Sequence, residues 1–148
     1  MFGEQIAGQF GRMILLTGAQ RGGENGGPVC RFVLDGRSGV LLDLGRIDCF
    51  ALEPHHHTQM PRMNPRTDSP EERIRPLAPK GEILSLDAWR GCAQQALTWL
   101  RTEWTDELRE FGWGEWVVQE AEREKAALAD AVEAFLMSHP PAKCTAEG

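Results

Sequence analysis

The stretch FALEPHHHTQMPRMNPRTDSPEERIRPLAPKGE, Phe50–Glu82, separates two halves of the chain that differ in hydrophobic pattern. It holds three consecutive histidines and six of the nine prolines. Before it lie short apolar runs typical of strands, and after it apolar residues recur every three or four positions, as in helices. The sequence therefore predicts an α+β fold, with a small antiparallel β-meander over about residues 12–53 and a C-terminal helical hairpin.

The β half consists of apolar runs, RMILLTGA, PVCRFVLDG and VLLDLG, separated by glycine-rich turns. A further run, RIDCFALE, closes this half at residues 46–53. Successive side chains of a strand point to opposite faces, so Cys49 and Asp48 are expected on different sides of the sheet. The segment before residue 12 is ambiguous between a short helix and a lead-in to the first strand, because three glycines weaken its helical pattern.

The proline-rich segment, residues 54–84, is predicted to be an extended connector on the surface. Each proline lacks a backbone donor and biases the residue before it away from helix. A structureless connection of this length is uncommon in a compact domain and is often functional. We therefore interpret this segment as an Arg- and Pro-rich arm with a functional role.

Two helices are predicted after the connector, over about 86–111 and 113–137, within a helical hairpin at 85–138. Ser85 or Asp87 can cap the first helix, and the glycines of EFGWGE separate the two. Residues 139–148 are predicted to be a flexible tail. The organisation predicts a single domain over residues 1–138.

The charge of the chain is concentrated in its second half. The net charge is −6, and residues 81–148 carry thirteen acidic and six basic side chains. A nucleic-acid binder needs a basic face to displace counterions from phosphate, so this balance argues against nucleic acid. An acidic surface suits a basic protein partner or serves solubility.

The four cysteines form no CxxC pair, which excludes zinc-ribbon and thioredoxin-like patterns. The N-terminal residues lack the apolar region of a signal peptide, and no stretch approaches the apolar length of a membrane span. These features predict a cytoplasmic protein that does not enter a membrane, with reduced thiols.

The histidine run is the best candidate for a chemical site. His55 and His57 point the same way on an extended chain, and two imidazoles can bind Zn, Ni or Cu. Cys49 is the predicted third ligand, with Asp48 or Glu53 as alternatives from the same strand. This pattern supports the hypothesis of a transition-metal-binding protein.

A small enzyme with a Cys/His site is a further alternative, because Cys49 and His57 could form a thiolate–imidazole pair. The other motifs are weaker. GAQRGGENGG lacks the GK[ST] ending of a P-loop, and DGRSG does not meet the GxSxG pattern. No complete catalytic signature is present, which leaves the protein without an assigned catalytic residue.

The leading hypothesis from the sequence is a non-catalytic interaction protein or accessory subunit of a larger complex, with another protein as its partner. Arginine forks suit carboxylate or phosphate groups, on a partner or on this chain's own acidic helices. Tryptophan is enriched at interface hot spots, and Trp99 lies off the apolar stripe of its helix. The predicted partner-binding residues are Arg62, Arg66, Arg73, Arg75, Trp99 and Trp113.

Overall fold

The computed structural model describes residues 3–20, 25–79 and 81–147. It contains a six-stranded antiparallel sheet, with the strands side by side in chain order, followed by helices. The strands are β1 Gln5–Phe10, β2 Met13–Gln20, β3 Gly27–Asp35, β4 Leu41–Asp48, β5 His55–Asn64 and β6 Ser69–Pro76. The helices are α1 Leu86–Thr102, α2 Trp104–Glu110, α3 Glu115–Ser138 and α4 Ala142–Glu147. The predicted α+β class with a C-terminal helical part is confirmed.

The sheet begins earlier than predicted. The ambiguous segment at the N-terminus forms β1, which pairs with β2 from Gln5 to Phe10. The two strands join through a tight turn in which Gly11 has a φ of +58°, a conformation that glycine adopts at little cost. The N–H of Arg12 in this turn donates to a carboxylate oxygen of Glu120 at 2.9 Å, which ties the turn to α3.

The sheet also extends further than predicted, because the proposed connector 54–84 is largely a β-hairpin. Strands β5 and β6 pair from His55 to Asn64, so the prediction of an extended surface arm was wrong. The prolines fit because they occupy positions that need no ladder donor. Pro61 lies where the pairing register shifts, and Pro70 and Pro76 lie at the two ends of β6, an edge strand.

The helical half differs from the prediction at two points. The first helix is interrupted at Glu103, which separates α1 from α2. Ser85 caps α1 as predicted, since its hydroxyl accepts the N–H of Ala88 at 3.2 Å. The supposed tail 139–148 contains α4, and Cys144 of this helix is buried in the core.

Tryptophan side chains form hydrogen bonds between the helical half and the sheet. Three indole N–H groups donate to main-chain carbonyls in a strand or at its end. Trp89 donates to the carbonyl of Cys49 at 2.8 Å, and Trp104 donates to that of Leu44 at 3.2 Å. Trp113 donates likewise to the carbonyl of Gln59 at 2.8 Å. The ring of Trp104 also packs edge-on against Phe32 of β3. Buried indoles need a partner for their N–H group, and these carbonyls supply it.

One buried carboxylate, Glu107 of α2, connects four side chains from other elements. Its Oε1 accepts from the hydroxyl of Thr58 at 2.6 Å and from the indole of Trp99 at 2.8 Å. Its Oε2 lies 3.3 Å from Arg73 and 3.0 Å from Arg75. A buried charge is tolerated only when it is paired and hydrogen-bonded, and Glu107 meets both conditions.

None of the helices in the described ranges is long and apolar enough to cross a membrane. The centre of the predicted glycine-rich turn QRGGENGG, residues 21–24, lies outside the described residues.

Replacing Glu107 should destabilise the protein in a pH-dependent manner. Burial raises the pKa of Glu107, but the hydrogen bonds from Thr58 and Trp99 and the charges of Arg75 and Arg73 outweigh it, so its pKa is lowered. A carboxylate with a depressed pKa stabilises the fold above its unfolded pKa and loses that contribution as the pH falls. We expect Glu107→Gln to lower the free energy of unfolding by about 2–4 kcal/mol at pH 7, measured by urea denaturation.

The deficit relative to wild type should shrink below about pH 5, as the wild-type carboxylate becomes protonated. Glu110→Gln is the matched control, because Glu110 lies on the same helix and binds Arg73 at an exposed position. That variant should lose less than about 1 kcal/mol. Equal losses in the two variants, or a deficit that does not change with pH, would contradict the role given to Glu107.

Candidate metal centre

The antiparallel pairing of β4 with β5 assembles a polar cluster on the sheet face opposite the main helix contacts. Asp48 is directly opposite His55, and Arg46 is directly opposite His57. Directly opposed residues share a face, so these four side chains lie together. The intervening residues, Ile47 and its partner His56, point towards the helices.

Asp48, His55 and His57 form the centre of this cluster. The Nε2 atoms of His55 and His57 lie 2.9 and 3.1 Å from the same oxygen, Oδ2 of Asp48. One potential ligand atom from each residue lies within 4.8 Å of the other two. At zinc-ligand bond lengths of about 2.0–2.1 Å, neighbouring ligands of a tetrahedral ion are about 3.3 Å apart, so small shifts would accommodate an ion.

A hydrogen bond at Nδ1 fixes the orientation of each imidazole. Nδ1 of His55 lies 2.7 Å from the carbonyl oxygen of Glu53, and Nδ1 of His57 lies 3.0 Å from Oε2 of Glu72. These acceptors require a proton on Nδ1. A neutral ring then has its lone pair on Nε2, directed at Asp48, whereas a protonated ring donates from Nε2 to Asp48. Metal-binding histidines are typically oriented in this way by a carboxylate or a carbonyl.

The cluster is largely shielded from water. The side chains of Asp48 and His57 are each 5% exposed, and that of His55 is 22% exposed. The ring of Phe50 packs edge-on against His55 at 5.7 Å between centroids. Buried ligands of this kind lose little conformational freedom when an ion binds.

The buried carboxylate is held ionised by its neighbours. Burial raises the pKa of Asp48, but hydrogen bonds from His55 and His57 and the positive charge of Arg46 outweigh it and bring the pKa well below its usual range. Burial lowers the pKa of His55, whereas the bonds to Asp48 and to the Glu53 carbonyl raise it, and the net direction is upward.

Arg46 supplies a positive charge at the edge of the cluster. Its Nε lies 2.7 Å from Oδ1 of Asp48, and one of its terminal nitrogens lies 3.0 Å from Nε2 of His57. Oδ1 of Asp48 is therefore occupied by an ion pair with Arg46, and Oδ2 is the oxygen directed at the two imidazoles.

Cys49 does not belong to this site, which corrects its predicted role as the third ligand. It is fully buried in the core on the opposite face from Asp48, and burial raises the pKa of its thiol well above the usual value. A buried thiol of this kind is unreactive, so the proposed Cys49–His57 catalytic pair is not assembled. The third residue near the two histidines is Asp48, which the sequence offered only as an alternative.

The middle histidine of the run, His56, belongs to the packing between sheet and helices. Its ring stacks on Trp99 with centroids 3.9 Å apart, and burial lowers its pKa to about 4. Trp99 is thereby only 3% exposed, and its indole N–H is bound to Glu107. The prediction of Trp99 as a partner-binding surface is corrected, because β5 covers it.

The predicted partner-binding arginines are not brought together as one surface. Arg73 and Arg75 pair with this chain's own helix α2, in agreement with the alternative that the sequence left open. Arg62 pairs with Glu71 across the β5–β6 hairpin at 2.8 Å, and Arg66 lies in the exposed turn of that hairpin. Trp113 is half-buried against β5.

Two residues of the cluster were missed by sequence reasoning. Glu72 lies fifteen positions from the histidine that it orients, and Arg46 lies eleven positions away. Nothing in their spacing marks them, because their proximity depends on how β4, β5 and β6 are aligned. The alternation of RIDCFALE could have favoured Asp48 over Cys49 only once the buried face of the strand was known.

Comparison of the chain with protein-family models, with curated proteins and with solved structures gives no significant match.

Proposed function

We propose that the protein binds a divalent transition-metal ion, with zinc as the first candidate, through His55, His57 and Asp48. The observation that carries this proposal is the convergence of two imidazole Nε2 atoms on one carboxylate oxygen, while both Nδ1 atoms are bound to acceptors. Neutral rings held in this way present lone pairs to a carboxylate, which is also an acceptor. Either protons or a cation must lie between them, and a metal ion satisfies all three groups at once.

The electrostatics of the cluster favour a cation. Asp48 is buried, and the pKa of its carboxyl is held well below the usual range beside the guanidinium of Arg46. An ion would displace the terminal nitrogen of Arg46 from Nε2 of His57. Because a metal-bound imidazole must have a free lone pair on Nε2, metal affinity should fall as the pH is lowered.

The donor set distinguishes among the ions considered from the sequence. Two imidazoles and a carboxylate suit Zn²⁺, Ni²⁺ or Cu²⁺. Soft sulfur donors, which Cu⁺ prefers, are not supplied, since Cys49 lies on the other face and the sulfur of Met60 contacts Arg62. Zinc is preferred because three protein ligands with one open position are a common arrangement for it.

A protein-interaction function stays a second proposal, with a surface different from the predicted one. Val40, Leu41 and Trp116 are 55%, 57% and 44% exposed, and Arg37 of the same turn lies 6.0 Å from the centre of the Trp116 ring. These side chains are apolar surface of the kind that partners cover. Co-purification from the native organism, followed by mass spectrometry, tests this proposal, and loss of the partner with Trp116→Ser would support it.

The metal proposal predicts stoichiometric zinc binding to the purified protein. Zinc added at about 100 times its dissociation constant should stabilise the fold by about 2.7 kcal/mol, measured as a shift in thermal unfolding. Asp48→Asn and His55→Gln should abolish both zinc binding and the thermal shift, because each replaces a metal ligand with a side chain of similar size that binds zinc poorly. Metal content after dialysis, measured by plasma mass spectrometry, gives the stoichiometry.

His139→Gln is the control for this experiment, because His139 lies far along the chain beside Phe135, outside the cluster. It should bind zinc as the wild type does. Circular dichroism must show that each variant is folded. A folded wild-type protein that gains neither metal nor stability from Zn²⁺, Ni²⁺ or Cu²⁺ would refute the metal proposal.

Removing the carboxylate that orients His57 should weaken metal binding without abolishing it. Glu72→Gln keeps the shape of the side chain but loses the charged acceptor for Nδ1 of His57, and we expect affinity to fall about 10–100-fold. Glu71→Gln is the matched control, since Glu71 is adjacent on β6 and binds Arg62 instead. Competition with a chromogenic zinc chelator measures both affinities, and equal values for the two variants would contradict a positioning role for Glu72.

A further inference from the structure

A cavity of about 260 Å³ adjoins the His55 side of the cluster. Two of its lining residues lie on the same sheet face as the ligands, because Pro76 is directly opposite His55 and Ile74 is directly opposite His57. The cavity is lined by Glu53, Pro54, His55, Ile74, Pro76 and Ala78. The strand register thus places an apolar recess directly beside the proposed ion.

His55 is the link between the ion and this recess. It lines the cavity and has the most exposed side chain of the three ligands, whereas Asp48 and His57 are almost fully buried. Of the three residues, His55 alone lines the cavity, so a ligand in the cavity would approach the proposed ion past His55. Three protein ligands leave at least one coordination position open, which is the arrangement of sites that bind an exogenous ligand.

The chemistry of the recess defines the class of that ligand. Two neutral imidazoles and one carboxylate leave a divalent ion with one residual positive charge, so an anionic oxygen donor is favoured. At the edge of the cluster the charges of Arg46 and Glu72 offset each other. Pro54, Ile74 and Pro76 offer apolar walls for a short aliphatic body. Glu53 on the same wall disfavours a second negative charge.

We propose that the open position of the metal takes the carboxylate of a short aliphatic monocarboxylate, whose chain lies in the cavity between Pro54 and Ile74. This inference rests on the proposed metal function. It adds a ligand-binding site with a defined chemical class and a preference for one negative charge over two.

The test uses the full-length protein loaded with Co²⁺, whose visible absorption reports a change of ligands. Butyrate should change the spectrum saturably, with a dissociation constant of about 1 mM or tighter. Ile74 is 53% exposed, so Ile74→Trp can fill the recess without disturbing the core. That variant should keep stoichiometric Co²⁺ but weaken butyrate binding at least about tenfold.

Charge selectivity is tested with succinate, which has the length of butyrate and a second carboxylate. Succinate should bind at least about fivefold more weakly than butyrate, and Glu53→Gln should reduce that difference. Bound Co²⁺ with no response to butyrate, or an unchanged response in Ile74→Trp, would overturn the ligand site and leave the metal proposal standing. Failure of the wild-type protein to bind Co²⁺ would overturn both.

Discussion

The register between β4 and β5 is the constraint on which the rest of the structure depends. Asp48 pairs with His55, and Ile47 pairs with His56, so neighbouring residues of the histidine run lie on opposite faces of the sheet. On one face His56 stacks against Trp99 and the helices, and on the other Asp48 meets two imidazoles. A slip by one residue would place the ionised groups against the helices, where they would have no partners.

The helical half depends on a small number of polar contacts within an apolar interface. Buried indole N–H groups reach main-chain carbonyls of the sheet, and Glu107 accepts from Thr58, Trp99 and two arginines. These bonds are directional, whereas hydrophobic packing is not. They therefore set where α1 and α2 lie on β4–β6, and they give four of the five tryptophans, Trp89, Trp99, Trp104 and Trp113, a role within the fold. The arginines Arg73 and Arg75 are used in the same way.

The polar cluster on the other face of the sheet is the basis of the metal proposal. Two imidazoles whose Nδ1 atoms are bound to acceptors converge on one oxygen of Asp48, Oδ2, while its other oxygen faces Arg46. Burial makes such a concentration of polar groups costly unless a positive charge balances the carboxylate. Arg46 partly meets that need, and we propose that a divalent ion meets it more fully.

The sequence by itself determined the α+β class, a cap for α1 at Ser85 or Asp87, and the common orientation of His55 and His57, because these depend on local periodicity and on neighbouring residues. Only the tertiary structure decided that residues 54–84 form a hairpin, since prolines are compatible with an edge strand or with free chain. It also decided that Asp48, rather than Cys49, joins the histidines, and that Glu72 orients His57. Strand alternation has a period but no absolute phase, and the phase is set by which face the helices bury.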